Sequence, residues 1–236
     1  MYKPLINILT RTSNRPNGFK INVENIKNQT YDNINHIICT DDESSIKYIE
    51  ESGFKDFIFL NRQDIINNDT FVNPSNNLTY NQIKKRNIKV PHSAFGPYSP
   101  HNLYFNEMIK SVNEGWVIYL DDDDRFTTNN IVSEIVDVIN NNNDDTLIYW
   151  RMVYSNGRYL PVNMGNNFMP RLGGIGGSCF TFNIKYKDLA TWDSWKCGDF
   201  RVIQKLHNKI PNKVLINKNF IYVPSQGMGR KIDIKK

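Results

Sequence analysis

Trp116-Val117-Ile118-Tyr119-Leu120-Asp121-Asp122-Asp123-Asp124-Arg125 is the stretch from which the rest of this 236-residue chain is read. A short, continuous apolar run that ends at a charge cluster has the form of a buried strand. In an open α/β sheet such a strand carries the residues after it to the carboxyl edge, where ligands bind. Four adjacent carboxylates repel one another, so holding them together where they are partly buried calls for a cation. Magnesium and manganese take oxygen ligands, typically one or two carboxylates with waters and the phosphates of a substrate. A second reading stands beside this one: a solvated acidic loop that caps a helix after Thr127 and Thr128, where negative charge suits the helix N-terminus.

Outward from this strand the pattern is α/β. Leu5 to Leu9 and Ile34 to Cys39 read as short buried strands, joined by a segment with Phe19, Val23 and Ile26 at helical spacing. A helix fits Ser44 to Glu51, and Phe57 to Leu60 reads as a third strand. Alternation of this kind predicts a mostly parallel, Rossmann-like central sheet flanked by helices. Between Ile65 and Pro100 the periodicity fades into Asn-Pro, Gly-Pro and Ser-Pro breaks, which predicts an irregular insertion. A helix near Asn102 to Asn113 leads into the acidic strand. After it come a helix through Ile131, Ile135 and Val138, a strand from Leu147 to Tyr154, glycine-rich turns with short strands, and an amphipathic helix around Phe200 to Leu206. Composition shifts nowhere, so residues 1–236 are expected to form one domain, with halves 1–125 and 126–236 that divide the work rather than fold separately.

Composition narrows the partners. The net charge is +5, but the lysines are scattered and no dense basic run interleaves with stacking aromatics, so no nucleic-acid partner is expected. Asparagine takes about one position in seven, which reads as nucleotide bias in the coding genome. Cys39, Cys179 and Cys197 are an odd set without metal-ligand spacing, which predicts a reducing, cytoplasmic setting. The opening Met1-Tyr2-Lys3-Pro4 is followed by an apolar stretch too short and polar for a leader, and no stretch approaches the roughly 18 apolar residues of a transmembrane segment.

The motifs in order resemble the family 2 type glycosyltransferases of the GT-A fold. Ile8-Leu-Thr-Arg-Thr-Ser-Asn-Arg-Pro16 is similar to that family's first strand and nucleotide-binding loop. Ile26-Lys-Asn-Gln-Thr-Tyr31 and His36-Ile-Ile-Cys-Thr-Asp-Asp42 resemble its Gln-Thr-Tyr and Asp-Asp signatures. Asn106, fifteen residues before Asp121, and Gly115 fall where the family carries the helix leading into its DxD strand. The resemblance implies a donor site for a nucleotide diphosphate sugar, a UDP-sugar by family weighting. Thr10 and Arg11 would lie beside the base and Asp41 or Asp42 on uracil or ribose, since carboxylates suit N–H and hydroxyl donors. The local alternative for Asp41 and Asp42 is a strand-end turn that caps a helix. The DxD maps onto Asp121-Asp122-Asp123, with Asp123 on Mn2+ or Mg2+ and Asp121 on ribose or the metal.

For the acceptor half, Trp192-Asp193-Ser-Trp195-Lys196-Cys-Gly-Asp199-Phe200-Arg201 resembles the family's acidic acceptor motif, with Asp199 at the place of the catalytic base. Gly198 stands where that family more often has glutamate. Asp193 is the competing base, and Trp192 and Trp195 are either sugar-facing rings or core. Leu172-Gly-Gly-Ile-Gly-Gly-Ser178 reads as a turn or as the acceptor floor. Pro224-Ser-Gln-Gly-Met-Gly-Arg-Lys231 reads as a basic tail or as a lid whose Arg230 meets the diphosphate. His207 reads as a surface residue. The resemblance implies inverting transfer to a hydroxyl on a glycan, protein or small molecule. Two other classes compete, a nucleotidyltransferase or metal phosphohydrolase and a non-catalytic sugar-binding module. The first lacks a GxxxxGK[ST] loop, while the glutamate missing before Asp199 favours the second.

Overall fold

The computed structural model describes residues 3–90, 96–165 and 167–224. The chain opens with β1 (Ile6–Thr12), α1 (Pro16–Lys27) and β2 (Ile34–Thr40), followed by α2 (Ile46–Glu51), β3 (Ile58–Phe59), α3 (Arg62–Asn67), α4 (Tyr80–Lys85) and α5 (Tyr104–Lys110). β4 (Trp116–Tyr119) and β5 (Arg125–Phe126) flank the four aspartates. Then come α6 (Ile131–Asn140), β6 (Thr146–Tyr154), β7 (Tyr159–Leu160), β8 (Phe180–Asn183), α7 (Gly198–Lys209) and β9 (Asn212–Val223).

Among the described residues the strands form one sheet in the order β3-β2-β1-β4-β8-β6-β9-β5, with β7 beside β6. β3, β2, β1 and β4 are mutually parallel. Beyond β4 the sheet is mixed, because β8 runs antiparallel to both β4 and β6 while β9 runs parallel to β6. Ile6 lies opposite both Ile34 and Trp116, so the ends of β1, β2 and β4 deliver Arg11, Asp41 and Asp121 to one edge. Ile6, Ile8, Leu9, Trp116, Val117 and Ile118 are fully buried, as strands covered on both faces must be. The apolar residues Ile131, Val132, Ile135, Val136 and Ile139 form the buried stripe of α6. Entry into β4 requires Gly115: its φ is +86°, and a Cβ there would fall 2.2 Å from the Leu5 carbonyl oxygen. That closeness lets the Trp116 amide donate to the same carbonyl at 2.8 Å.

Three expectations change. The insertion between Ile65 and Pro100 holds two short helices, α3 from its edge and α4, the latter closed by a capping box of Thr79 and Gln82. β3 is two residues rather than four. β9 is a twelve-residue strand that the sequence conceals, since its first eight residues are polar or only half-buried and a register shift interrupts its ladder with β6. All three cysteines are free. No described helix is long and apolar enough to cross a membrane.

Candidate active site

A cleft of about 860 Å³ opens at the carboxyl edge of the parallel strands. The aspartates following β4 form a turn, closed by the Asp124 amide donating to the Asp121 carbonyl at 2.9 Å, and Asp121, Asp123 and Asp124 border the cleft. Asp121 and Asp123 are partly exposed along the cleft, whereas Asp122 is fully buried and Asp124 nearly so. Arg11 grips Asp121 with two bonds, Nε to Oδ1 at 2.7 Å and Nη2 to Oδ2 at 3.2 Å, and lies 4.6 Å from the centre of the Phe105 ring. Asp122 accepts from Thr12 Oγ1 at 2.7 Å and from the Arg15 guanidinium, which also reaches Asp123 at 2.9 Å. Asp124 accepts from Ser178 Oγ at 3.0 Å. The acidic run is thus a wired wall, not a solvated loop, and Asn130 at the start of α6 makes no side-chain cap.

One face of α1 fixes the backbone of this wall. Asn22 donates to the carbonyls of Asp121 and Asp124, Asn25 exchanges two bonds with Phe126, and Gln29 donates to Thr128 and accepts from Val132. The spacing of 22 and 25 puts two of these amides on one face of α1, and Gln29 follows just beyond its C-terminal cap. Burial pushes Asp122 up to about 7 against the opposing pull of Arg15, and raises Asp124 as well, with Asp123 adding to the effect. For Asp121 burial acts upward too, but the Arg11 charge prevails and the group lies below its ordinary value.

The segment from Trp192 to Arg201 meets the same cleft. Asp199 lines it from the first turn of α7, accepting from the Phe200 amide at 2.8 Å. Burial raises its pKa, and among the described residues no cation lies in ion-pair contact with it. Asp193 is held differently: Arg201 takes both of its oxygens, at 2.5 and 2.6 Å. Trp192 lines the cleft and packs on Phe105 and Tyr119, with centroids 4.8 and 5.1 Å away. Asn106 fixes it by a pair of 2.8 Å bonds to its backbone. Asn102 joins the two walls, accepting from Arg11 and donating to the carbonyls of Asp193 and Trp195. A Cβ on Gly198 would come within 2.7 Å of the Asn102 amide, so the glycine where glutamate was expected is a packing requirement of this hub.

Of the residues singled out from sequence, Arg11, Asp121, Asp123, Trp192 and Asp199 line one cleft. Others stand behind its wall. Thr10 is fully buried against His36 at 2.9 Å, where burial, with Lys27 nearby, lowers the histidine to about 3 and keeps it neutral. The Asp41 side chain is 1% exposed and anchors Arg62 at 3.2 Å and the Tyr104 hydroxyl at 2.5 Å, both of which do reach the cleft. Asp42 caps Ser44, the local alternative for it. Asp122, Asn106, Asp193 and Trp195 position their neighbours and are not on the cleft wall. His207 is buried rather than on the surface, bonded to the Tyr149 hydroxyl at 3.0 Å. Arg230 and residues 225–231 lie outside the described residues.

Gly176, Gly177 and Ser178 of the glycine-rich stretch also line the cleft, while sequence reasoning missed Arg15, Arg62, Asn102 and Tyr104. Arg15 carried a usable signal: a cation at the start of a helix opposes the positive end of its dipole, and so implies an anionic partner. Among the described residues no group of three His, Cys, Asp or Glu side chains is arranged to hold a metal by itself. Asp121 and Asp123 do fit an ion whose remaining ligands are phosphate oxygens and water.

No protein-family model matches the chain, and no curated protein matches it in sequence. Solved structures do match in fold. The S. aureus TarS structure superposes on 94% of this chain and 37% of its own, at TM-score 0.62 and 12% identity. TarS 1-349 in complex with UDP-GlcNAc matches 94% of this chain and 59% of its own, at TM-score 0.62 and 14% identity. The mannosyltransferase PcManGT from Pyrobaculum calidifontis, in complex with GDP-Man and Mn2+, matches 96% and 59%, at TM-score 0.60 and 10% identity. The chain has a glycosyltransferase fold. It spans less than two thirds of the length of each of these proteins. The α/β, GT-A expectation therefore stands as a statement about architecture.

Proposed function

We propose that this chain is a family 2 type glycosyltransferase that moves a sugar from a nucleoside diphosphate donor, a UDP-sugar, to an acceptor hydroxyl with inversion. One observation supports it above the rest: Asp121 and Asp123 share a single cleft with the half-buried acid Asp199, and the fold is similar to that of solved structures that hold UDP-GlcNAc or GDP-Man. Asp123, with Asp121 beside it, would hold a divalent cation, Mn2+ or Mg2+, which when bound supplies Lewis-acid charge to the departing diphosphate.

The protein's own part comes from its side chains. Arg11 orients Asp121 and Arg15 is anchored on Asp122, so the frame of the donor wall is in place before substrate arrives. Asp199, raised by burial, accepts the proton of the incoming hydroxyl. Trp192 and Tyr119 give an apolar surface on which a sugar ring rests. Gly198 fits the Asn102 hub sterically, which supports reading this glycine as a packing choice.

Thermal unfolding with a panel of nucleotide sugars, with and without Mn2+, tests the donor reading. One uridine nucleotide sugar is expected to raise the Tm selectively and only with the cation. No shift with any nucleotide would overturn it.

A further inference from the structure

Arg15 stands at the junction of three acids and two functions. Its guanidinium meets both oxygens of Asp122, through Nε at 3.2 Å and through Nη2, and turns Nη1 to Asp123 at 2.9 Å. The side chain is 15% exposed and lines the cleft. It is also the residue before Pro16, the first of α1, and makes no capping bond to that helix. A cation gains nothing from the positive end of a twelve-residue helix, so the acids hold it there. Burial works against its charge, and Asp122, Asp123 and Asp121 more than restore it.

The two carboxylates it bridges are not equivalent. Asp122 is fully buried and is also held by Thr12, which makes it an anchor. Asp123 faces the cleft, where a divalent cation and phosphate oxygens compete for the same partners. Guanidinium pairs with phosphate as readily as with carboxylate.

We propose that Arg15 is a diphosphate-binding residue held in reserve on Asp123. On arrival of a nucleoside diphosphate and a divalent cation it keeps Asp122, moves Nη1 from Asp123 to a phosphate oxygen, and leaves Asp123 to the cation. The inference rests on the donor-site reading above and adds an ordering to it. Without nucleotide, Arg15 and the cation compete for Asp123; with nucleotide, they cooperate. By linkage the cooperation is reciprocal, so UDP must tighten Mn2+ binding as much as Mn2+ tightens UDP.

The test is a Mn2+ titration of the full chain by electron paramagnetic resonance, with and without UDP, on the unmodified protein, Arg15→Gln and Arg15→Lys. Without UDP, Arg15→Gln is expected to bind Mn2+ about tenfold more tightly than the unmodified protein, because a competing charge is gone. The same variant is expected to bind UDP about tenfold more weakly, the size of a lost charge-assisted hydrogen bond. Equal Mn2+ affinity in the two proteins, with UDP binding intact, overturns the exchange and leaves the donor site standing. No Mn2+ binding by any of the three proteins, even with UDP, overturns both. Should Arg15→Gln not fold, Arg15→Lys decides: it keeps the charge but loses the fork, and undiminished UDP affinity contradicts the proposal.

Discussion

The two sides of the cleft are built on opposite electrostatic plans. On the donor side every acid has an assigned partner: Arg11 for Asp121, Arg15 and Thr12 for Asp122, Arg15 for Asp123, Ser178 for Asp124. On the acceptor side Asp199 sits beside Trp192 and Gly177, with a backbone amide on its carboxylate and no ion pair among the described residues. Asp193, six residues earlier, shows the contrast within one segment, since its bidentate Arg201 makes it a structural anion. Pairing fixes charge and geometry together, which suits a wall proposed to hold a polyanion and its cation. An acid left without a cation in a dry place has its proton affinity raised, which suits a group that takes a proton.

The largest effect that tests this contrast comes from Asp199→Asn. Under the proposed function it lowers turnover by about 10²- to 10⁴-fold while leaving nucleotide affinity unchanged; retained turnover would move the base elsewhere. The pH dependence has a definite sign. A base must be ionised, so kcat rises with pH through a value above the ordinary aspartate pKa of about 3.9, and that limb disappears in the variant. Stability runs the other way. A carboxyl whose folded pKa is raised contributes stability below its unfolded pKa, and that contribution is lost as pH rises through the folded value. Asp199→Asn is therefore expected to be at least as resistant to urea at pH 7 as the unmodified protein.

A smaller effect, on both walls at once, is expected from Asn102→Ala. It frees two backbone carbonyls and one arginine bond, and lowers stability by about 1–3 kcal/mol in urea unfolding. Because Asn102 bonds to Arg11 on one side and to the Asp193–Trp195 turn on the other, both donor affinity and kcat fall. Loss of stability with neither kinetic constant changed would mean that the two walls are not coupled through it.

What the sequence made legible was the donor half of the fold. Its central strands β1 and β4 are buried on both faces and therefore appear as nearly unbroken apolar runs, as at Trp116 to Leu120, and the acidic residues mark where the strand ends. Asp121 and Asp123 could be read at the end of an apolar strand, whereas Asp199 was reached only through the resemblance of residues 192–201 to an acidic acceptor motif. Arg15 signalled an anionic partner by its place at a helix start, but which acids it meets was hidden because they lie more than a hundred residues away. Asn102 was hidden because an asparagine in so asparagine-rich a chain carries no local signal. Asp41 and Asp122 had the right chemistry at the right edge, yet their side chains turn inward and act through Arg62, Tyr104 and Arg15. β9 escaped notice since its half-buried polar residues show neither a period of two nor an apolar run.

The central claim is that Asp121 and Asp123 hold a donor for chemistry carried out beside Asp199. Release of nucleoside diphosphate from a nucleotide sugar by the full chain, followed with and without Mn2+, tests it most directly. The account predicts release that requires the cation, is lost in Asp123→Ala and is selective for one donor. Release that is indifferent to Asp123, or none from any nucleotide sugar with an acceptor panel present, would contradict it.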